Sequence, residues 1–488
     1  MKNVSELKTR QERPIRVMQF GEGNFLRAFV DYGIDVANEE LGFNSNVAIV
    51  VPINFGKPAG FAKQNNIYTV VLRGQKDGKP YKENRIVSCI DRVIESYSQY
   101  DEFMKLAELD TLEFVVSNTT EAGIVYEAGC KLEDCPPKTF PAKLTKFLYA
   151  RYQFFKGDPA KALTMLPVEL IDHNGENLKK CVMQYIADWK LDDAFKTWVD
   201  KDCIFASTLV DRIVAGYPRT EVADFAKELG YEDLLLDKAE PFSLWVIGDS
   251  RVEKKFKINS DKLHVLFTDK IEVYKERKVR ILNGAHTSMV LGAYLAGFDY
   301  VGQCMDDPEV RKQLDQSVFN EIVPTVHLPK AEAEEFARAV FERFQNPFVQ
   351  HALLSISLNS ISKWRARVLP SVKDSIANNN GKLPKWLTYS LAALFAFYRT
   401  TKAGDKCLIG SRGTNEYEIH DDLDKLAFIK EKAALPTREY ALALLTQKTW
   451  WGEDLTAIPN FAETVVKHLE RIEAIGAKAY IAELGKME

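Results

Sequence analysis

The sequence predicts an α/β first half and a mostly α-helical second half. Three observations carry that prediction. Residues 15–20 (IRVMQF) and 46–53 (NVAIVVPI) are short apolar runs joined by a glycine turn and a helix-spaced apolar series. Two later runs, 112–117 (LEFVVS) and 166–171 (LPVELI), are nearly continuous in apolar residues, as parallel strands buried on both faces should be. Beyond about residue 250 the apolar spacing becomes that of amphipathic helices.

Taken in order, 15–20 is a strand candidate, and Gly21-Glu22-Gly23 follows at once. Phe25, Leu26, Phe29, Val30 and Ile34 then recur at helical spacing up to the strand at 46–53. Strand, glycine turn, helix and strand make a βαβ unit. Its Gly-x-Gly turn would let a pyrophosphate approach the backbone at a helix N-terminus, where amides and dipole favour an anion. A turn of this kind also joins strand to helix where no ligand binds. Leu26 replaces the third glycine of the usual fingerprint, and Val51, Pro52 and Asn54 stand where an acid for the ribose hydroxyls is expected.

Residues 67–73 and 85–93 alternate like strands, with a hairpin turn expected at Asp77-Gly78. The strand at 112–117 runs into Asn118 and Thr119, small polar residues where dinucleotide-binding sheets place their ligands. The strand at 166–171 ends similarly, in Asp172, His173 and Asn174. Either stretch also suits an ordinary polar turn. After a short strand at 263–267, helices are expected at 278–296, 308–320, 331–345, 348–364, 386–400 and 459–484. The expected organisation is a Rossmann-type dinucleotide-binding domain over 1–250 and a mostly helical domain carrying substrate and catalytic groups over 251–488.

A chain of 488 residues can bury more than one core, and 46% hydrophobic with 27% charged residues is the composition of a globular protein. A net charge of −4 gives no sign of a nucleic-acid partner. The seven cysteines are scattered and odd in number, and no Cys or His pairs stand at zinc-finger spacing, so neither a disulfide framework nor a metal site is expected. No signal-like apolar region opens the chain. The longest uncharged apolar run, 386–398, reads as a core helix rather than a membrane span. No membrane association and a cytoplasmic location are the expectation; oligomeric state is left open.

Chemistry concentrates at 278–286 (KVRILNGAH). Apolar residues at 279, 281, 282, 285, 289 and 290 suit a buried helix. On a regular helix Lys278, His286 and Asn283 would project at about 0°, 80° and 140°, fanning over one side. A lysine can move a proton, a histidine can hold a hydroxyl, and an asparagine can donate to a carbonyl oxygen as it gains charge. Singly, each also fits a blander role: a solvated lysine, a core histidine, a helix break at Asn283-Gly284.

These residues, together with 20–29 (FGEGNFLRAF), 117–123 (SNTTEAG), 207–218 (STLVDRIVAGYP), 274–287 (YKERKVRILNGAHT) and 343–347 (RFQNP), resemble the mannitol dehydrogenase family of polyol-specific long-chain dehydrogenases. The resemblance spans almost the whole chain. Within the family it is to the branch interconverting tagaturonate and altronate. It implies a metal-independent, NAD-dependent hydride transfer on a sugar acid. By position, it implies that Lys278 is the general acid/base, that Asn283 and Asn174 are donors to the carbonyl oxygen, and that His286 positions the substrate. Phe20, Gly21, Glu22, Gly23, Asn24, Phe25, Asn118 and Thr119 match the cofactor-binding segments. No cation stands among residues 51–56 to meet a 2′-phosphate, which favours NAD over NADP.

A sugar-acid carboxylate needs a cation, and Arg343, Lys363, Arg365 and Arg367 are the candidates. For Lys278 to act near neutrality, burial or nearby positive charge must favour its neutral form; Lys275, Arg277 and Arg280 are close in sequence. Fructuronate reduction and mannitol oxidation are alternatives within the family. A non-catalytic dinucleotide sensor is the alternative outside it, and such a sensor would not need the trio of Lys278, Asn283 and His286.

Overall fold

A computed structural model describes residues 1–54, 59–76, 78–120, 122–348 and 350–487. The chain forms two compact units, Met1–Ile271 and Glu272–Glu488.

In the first unit, Ile15–Phe20, Asn46–Val51, Ile90–Glu95, Phe114–Ser117, Thr164–Pro167 and Ile204–Phe205 form one six-stranded parallel sheet. Numbered along the chain, these strands lie in the order 3-2-1-4-5-6, the order of doubly wound dinucleotide-binding sheets. The direction of winding reverses at Ile15–Phe20, where Phe20 pairs with Val50 on one side and Ser117 on the other. Alternate residues feed two cores. Val17, Ile49 and Val116 enter one; Met18, Val50 and Val115 enter the other. Burial on both faces explains the unbroken apolar runs. Each fully buried side chain of this size contributes roughly 1.5–3 kcal/mol.

The stretch 85–93 divides. Lys79–Val87 pairs antiparallel with Tyr68–Lys76, whereas Ile90–Glu95 joins the main sheet beside Asn46–Val51. Buried Asp35 makes the break: its carboxylate accepts from the Ser88 amide at 2.9 Å and from Arg85 Nε at 2.8 Å. Of the expected turn, Asp77 lies outside the described residues. The strand expected at 166–171 is Thr164–Pro167, and Leu170 is solvent-exposed.

A three-stranded sheet, Thr208–Asp211, Leu244–Ile247 and His264–Phe267, completes much of the remainder. His264–Phe267 pairs in parallel with Leu244–Ile247, which is why the first unit runs on to Ile271 rather than ending at residue 250.

Among its described residues the second unit is helical apart from one hairpin, Leu408–Arg412 with Asn415–Ile419, that the apolar spacing did not reveal, and isolated bridges. Its central helical run, Lys278–Asn283 continuing into Gly284–Leu295, packs on Lys385–Tyr398. The approach is close: a Cβ at Gly292 would stand 2.8 Å from the Tyr389 hydroxyl. Lys385–Tyr398 is almost wholly buried, as its apolar sequence requires. The helix expected at 348–364 is two, Leu353–Ile356 and Ser360–Arg367, because Asn359 takes a left-handed φ of 54° between them. Gly476, at φ 80°, likewise divides 459–484 into Phe461–Ile475 and Ala477–Leu484. Among the described residues no helix is long and apolar enough to cross a membrane.

Candidate active site

The glycine turn stands at the carboxyl end of the first strand, where the sheet's winding reverses. Gly21 has φ 112°, a conformation L side chains rarely adopt, and a Cβ there would meet the Asn118 carbonyl oxygen and Leu26 at 3.0 Å. Its amide donates to Val50 O at 3.0 Å. Gly23 is the N-cap of the helical run that follows, and no side chain caps that end. Apart from its own chain neighbours, no atom of the described residues lies within 4 Å of where a Gly23 Cβ would project. A helix N-terminus without a side-chain cap, open to close approach, fits the pyrophosphate of a dinucleotide.

Buried side chains hold this turn. Gln19 donates to Gly21 O at 3.2 Å and lies 3.4 Å from Asp31, which also accepts from the Tyr68 hydroxyl at 3.0 Å. Burial pushes the Asp31 carboxyl up to about 7. Asn24 accepts from Arg27, Phe25 stacks on Phe29, and burial raises the Glu22 carboxyl above its ordinary range. On the adjoining strand end, Asn118 donates to Val168 O at 3.0 Å. Thr119 donates to Glu169 through both its amide, at 3.0 Å, and its hydroxyl, at 2.9 Å. Glu169 is a buried acid, its pKa raised by that burial, and it also accepts from Ser117 at 3.1 Å. Sequence reasoning missed Glu169. The available signal was a lone acid inside the otherwise apolar LPVELI.

Asn174 departs from its expected role. It is 1% exposed, and its side-chain nitrogen lies 3.0–3.1 Å from the carbonyl oxygens of Pro167, Glu169 and Thr208. Its oxygen accepts from the amides of Gly175 and Thr208. With two amide hydrogens and three backbone acceptors, the side chain has no donor left for a substrate oxygen. It ties the end of one strand to the start of another.

The stretch 278–286 is helical but not regularly so. Lys278–Asn283 is wound as a π-helix, with the Gly284 amide reaching back to the Val279 carbonyl. The even 100° step therefore does not describe the trio's directions. Such windings within α-helices are often found at functional sites. Lys278 is partly exposed. The neighbouring cations are matched by acids: Arg280 pairs with Glu276 and Asp374, Arg277 with Glu332, and Lys275 lies 3.9 Å from Glu272. Asn283 differs from Asn174 in that its side-chain amide makes no hydrogen bond to the described residues, while its carbonyl accepts from Thr287 Oγ1 at 2.8 Å.

His286 stacks on Phe344 with ring centroids 4.2 Å apart and meets His351 edge-on at 5.1 Å. Its Nε2 is buried and has no hydrogen-bond partner among the described residues. Burial first, then the charges of His351, Arg343, Arg367 and Lys363, hold its pKa well below the usual histidine value. Three of the four carboxylate candidates are thus near enough for their charge to act on this one imidazole. Lys363 donates to Ile356 O at 2.8 Å, and Arg367 lies 3.5 Å from Thr287 Oγ1. Burial lowers the pKa of both, that of Lys363 further through Arg367. Arg365 lies elsewhere. It is exposed, with its guanidinium against Gly452, where a Cβ would stand 2.9 Å away. Helical spacing carried that distinction: Lys363 and Arg367 are i and i+4 on Ser360–Arg367, and Arg365 between them projects to the other side. His351 and Thr287 were not singled out by sequence.

The sheet order and glycine turn define a dinucleotide-binding α/β protein with a separate helical unit. The Rossmann-domain model of mannitol dehydrogenase matches residues 15–260 and its C-terminal-domain model matches 270–473. The chain belongs to the mannitol dehydrogenase family. It is 43% identical over 479 residues to altronate oxidoreductase of Escherichia coli O7:K1, covering 96% of this chain and 97% of that one, and equally so to the protein of E. coli K12. Among solved structures, D-sorbitol dehydrogenase in substrate-free form superposes with a TM-score of 0.78 at 19% identity, covering 99% of this chain and 100% of that one. Pseudomonas fluorescens mannitol 2-dehydrogenase, in ternary complex with NAD and D-mannitol, superposes with a TM-score of 0.66 at 20% identity, covering 99% and 96%. These two likenesses show the fold.

Proposed function

We propose that the protein is a cytoplasmic, NAD-dependent oxidoreductase that interconverts D-tagaturonate and D-altronate, a small-molecule sugar-acid pair. The observation carrying this reading is His286: a buried neutral imidazole whose Nε2 has no partner among the described residues and whose charged form three nearby cations disfavour. An uncharged polyol needs no such cations, whereas a uronate carboxylate does. The extensive identity to altronate oxidoreductases supports the same substrate.

When bound, the nicotinamide donates or accepts the hydride. Lys278 gives a proton to the substrate oxygen in reduction and takes it back in oxidation. The Asn283 amide donates to that oxygen as it gains charge. His286 holds a neighbouring hydroxyl through Nε2, and Arg343, Lys363 and Arg367 receive the carboxylate. Asn174 acts as a positioning residue in the first unit, through the backbone it binds. The glycine turn, Asn118 and Thr119 belong to the dinucleotide site. Among the described residues 51–54, at the end of the second strand, no cation stands for a 2′-phosphate, which supports NAD. This chemistry uses no metal.

The test is a substrate panel. Tagaturonate, fructuronate and fructose are reduced with NADH and with NADPH, and initial rates are compared. Tagaturonate with NADH should give the highest catalytic efficiency. Preference for fructuronate would move the protein to the sister activity, and preference for fructose would overturn the sugar-acid reading.

A further inference from the structure

The hairpin of the second unit brings together three side chains that sequence spacing kept apart. Leu408 pairs with Ile419, and both are buried. Just outside this pair, Cys407 precedes Leu408 and His420 follows Ile419, the first half-buried and the second exposed. Glu418, two residues before His420, is exposed as well. One ligand atom from each of Cys407, Glu418 and His420 lies within 4.8 Å of the other two. His420 Nε2 is 2.8 Å from Glu418 Oε2. The chain also leaves room for the thiol: a Cβ at Gly404 would stand 2.7 Å from Cys407 Sγ, and the Gly404 amide donates to Cys407 O at 2.9 Å.

We propose that Cys407, Glu418 and His420 form a zinc site at the open end of this hairpin, with water as the fourth ligand. A thiolate, an imidazole and a carboxylate are the donor types zinc accepts, and three protein ligands plus water complete a tetrahedron. On binding, the thiol gives its proton to the solvent and the His420–Glu418 hydrogen bond is exchanged for two metal–ligand bonds. The thiolate and carboxylate then balance the two charges of the ion. None of the three residues is assigned to the reaction, so the ion would bind apart from it, with one position left to water. The His420 carbonyl accepts from the Asn359 amide at 2.9 Å, and Asn359 is the N-cap of Ser360–Arg367, which carries Lys363 and Arg367. Zinc would steady the hairpin end on which that helix start rests, and would raise thermal stability by mass action.

The experiment uses the full-length untagged chain, stripped with a chelator. Zn²⁺ is titrated in competition with a chromophoric chelator, and Co²⁺ is titrated while the near-ultraviolet thiolate-to-cobalt charge-transfer band is followed. One equivalent should bind and the band should appear. Cys407→Ser should abolish the band, and His420→Gln and Glu418→Gln should each weaken Zn²⁺ binding at least ~10-fold, since even outer-shell changes cost that much. Cys135→Ser, which removes an exposed thiol elsewhere, should change neither readout. His420 and Glu418 are exposed, and far-ultraviolet circular dichroism confirms that each variant folds. Absence of saturable one-equivalent binding overturns the proposal. So does a band that persists in Cys407→Ser, or affinity unchanged in both His420→Gln and Glu418→Gln.

Discussion

Arg367→Gln is the substitution that most directly separates a sugar-acid enzyme from a polyol enzyme on this fold. Arg367 lies 3.5 Å from Thr287 Oγ1 and is one of the charges holding His286 neutral. If its guanidinium receives the uronate carboxylate, the change removes a charge-assisted hydrogen bond of about 1.5–3 kcal/mol, or roughly 10- to 150-fold in kcat/KM. Fructose, which has no carboxylate, should lose less than about threefold. A second readout is pH. Burial is the main cause of the depressed His286 pKa, and removing the Arg367 charge takes away a lesser one, so that pKa should rise. The acid limb of the kcat/KM profile, where His286 becomes protonated and its Nε2 can no longer accept, should therefore move to higher pH. Lys363→Gln and Arg343→Gln should behave alike in direction. Arg365→Gln is the internal control: its guanidinium stands against Gly452, and its activity should stay near wild type on every substrate. The assay is initial-rate reduction of tagaturonate, fructuronate and fructose from pH 5 to 9. If Arg343, Lys363 and Arg367 variants all keep the wild-type preference for the acid, or if Arg365→Gln is as damaging as Arg367→Gln, the reasoning fails.

Further outcomes are expected. Lys278→Ala should lower turnover by ~10²-fold or more, while NADH binding measured by fluorescence titration stays near normal; wild-type turnover would remove Lys278 from its role. NADH should be clearly preferred to NADPH, and equal efficiencies would refute the reading of the second strand's end. Activity should survive exhaustive chelation whether or not the hairpin carries zinc; turnover lost to a chelator and restored by Zn²⁺ would show that metal takes part. Asp237 is fully buried, burial pushes its carboxyl up to about 7, and Arg27 lies 3.7 Å away. Between the unfolded value of ~3.9 and about 7 the folded chain holds a proton the unfolded chain has lost, so stability falls as pH rises through that window. The effect is on the order of a few kcal/mol at most, and Asp237→Asn should flatten the dependence of thermal unfolding on pH between 5 and 8. An unchanged slope would refute the assignment.

Much of the first unit was legible because parallel strands buried on both faces leave unbroken apolar runs, and 15–20, 46–51 and 114–117 are such runs. What stayed hidden had tertiary causes. The stretch 85–93 alternates evenly, and only a carboxylate from another element, Asp35, shows why it divides at Ser88. The π winding of Lys278–Asn283 leaves no trace in apolar spacing, because buried residues recur whether the turn holds four residues or five. Asn174 and Asn283 are the same residue type in equally suggestive places. What separates them is whether backbone acceptors have already taken their amide hydrogens, which no local pattern encodes. Cys407, Glu418 and His420 escaped because metal spacing rules assume helix or knuckle geometry, whereas strand register joined them.

The second unit also bears on where substrate choice resides. Thr287 donates to the Asn283 carbonyl and lies within reach of Arg367, so one hydroxyl connects the helix bearing Lys278, Asn283 and His286 to the helix bearing Lys363 and Arg367. Under the proposed function, the groups for the reacting carbonyl and those for the carboxylate are fixed against each other within one unit. That geometry measures the substrate: a carboxylate at the right distance from the keto carbon places the carbonyl at Asn283 and Lys278, and a misplaced one does not. Because proximity and orientation can supply several kcal/mol of a barrier, loosening this connection should cost rate as well as binding. Thr287→Val keeps the shape and removes the hydroxyl. It should lower kcat for tagaturonate by several-fold while leaving NADH affinity unchanged. An effect confined to KM, or none at all, would mean that the two helices hold their alignment by packing alone.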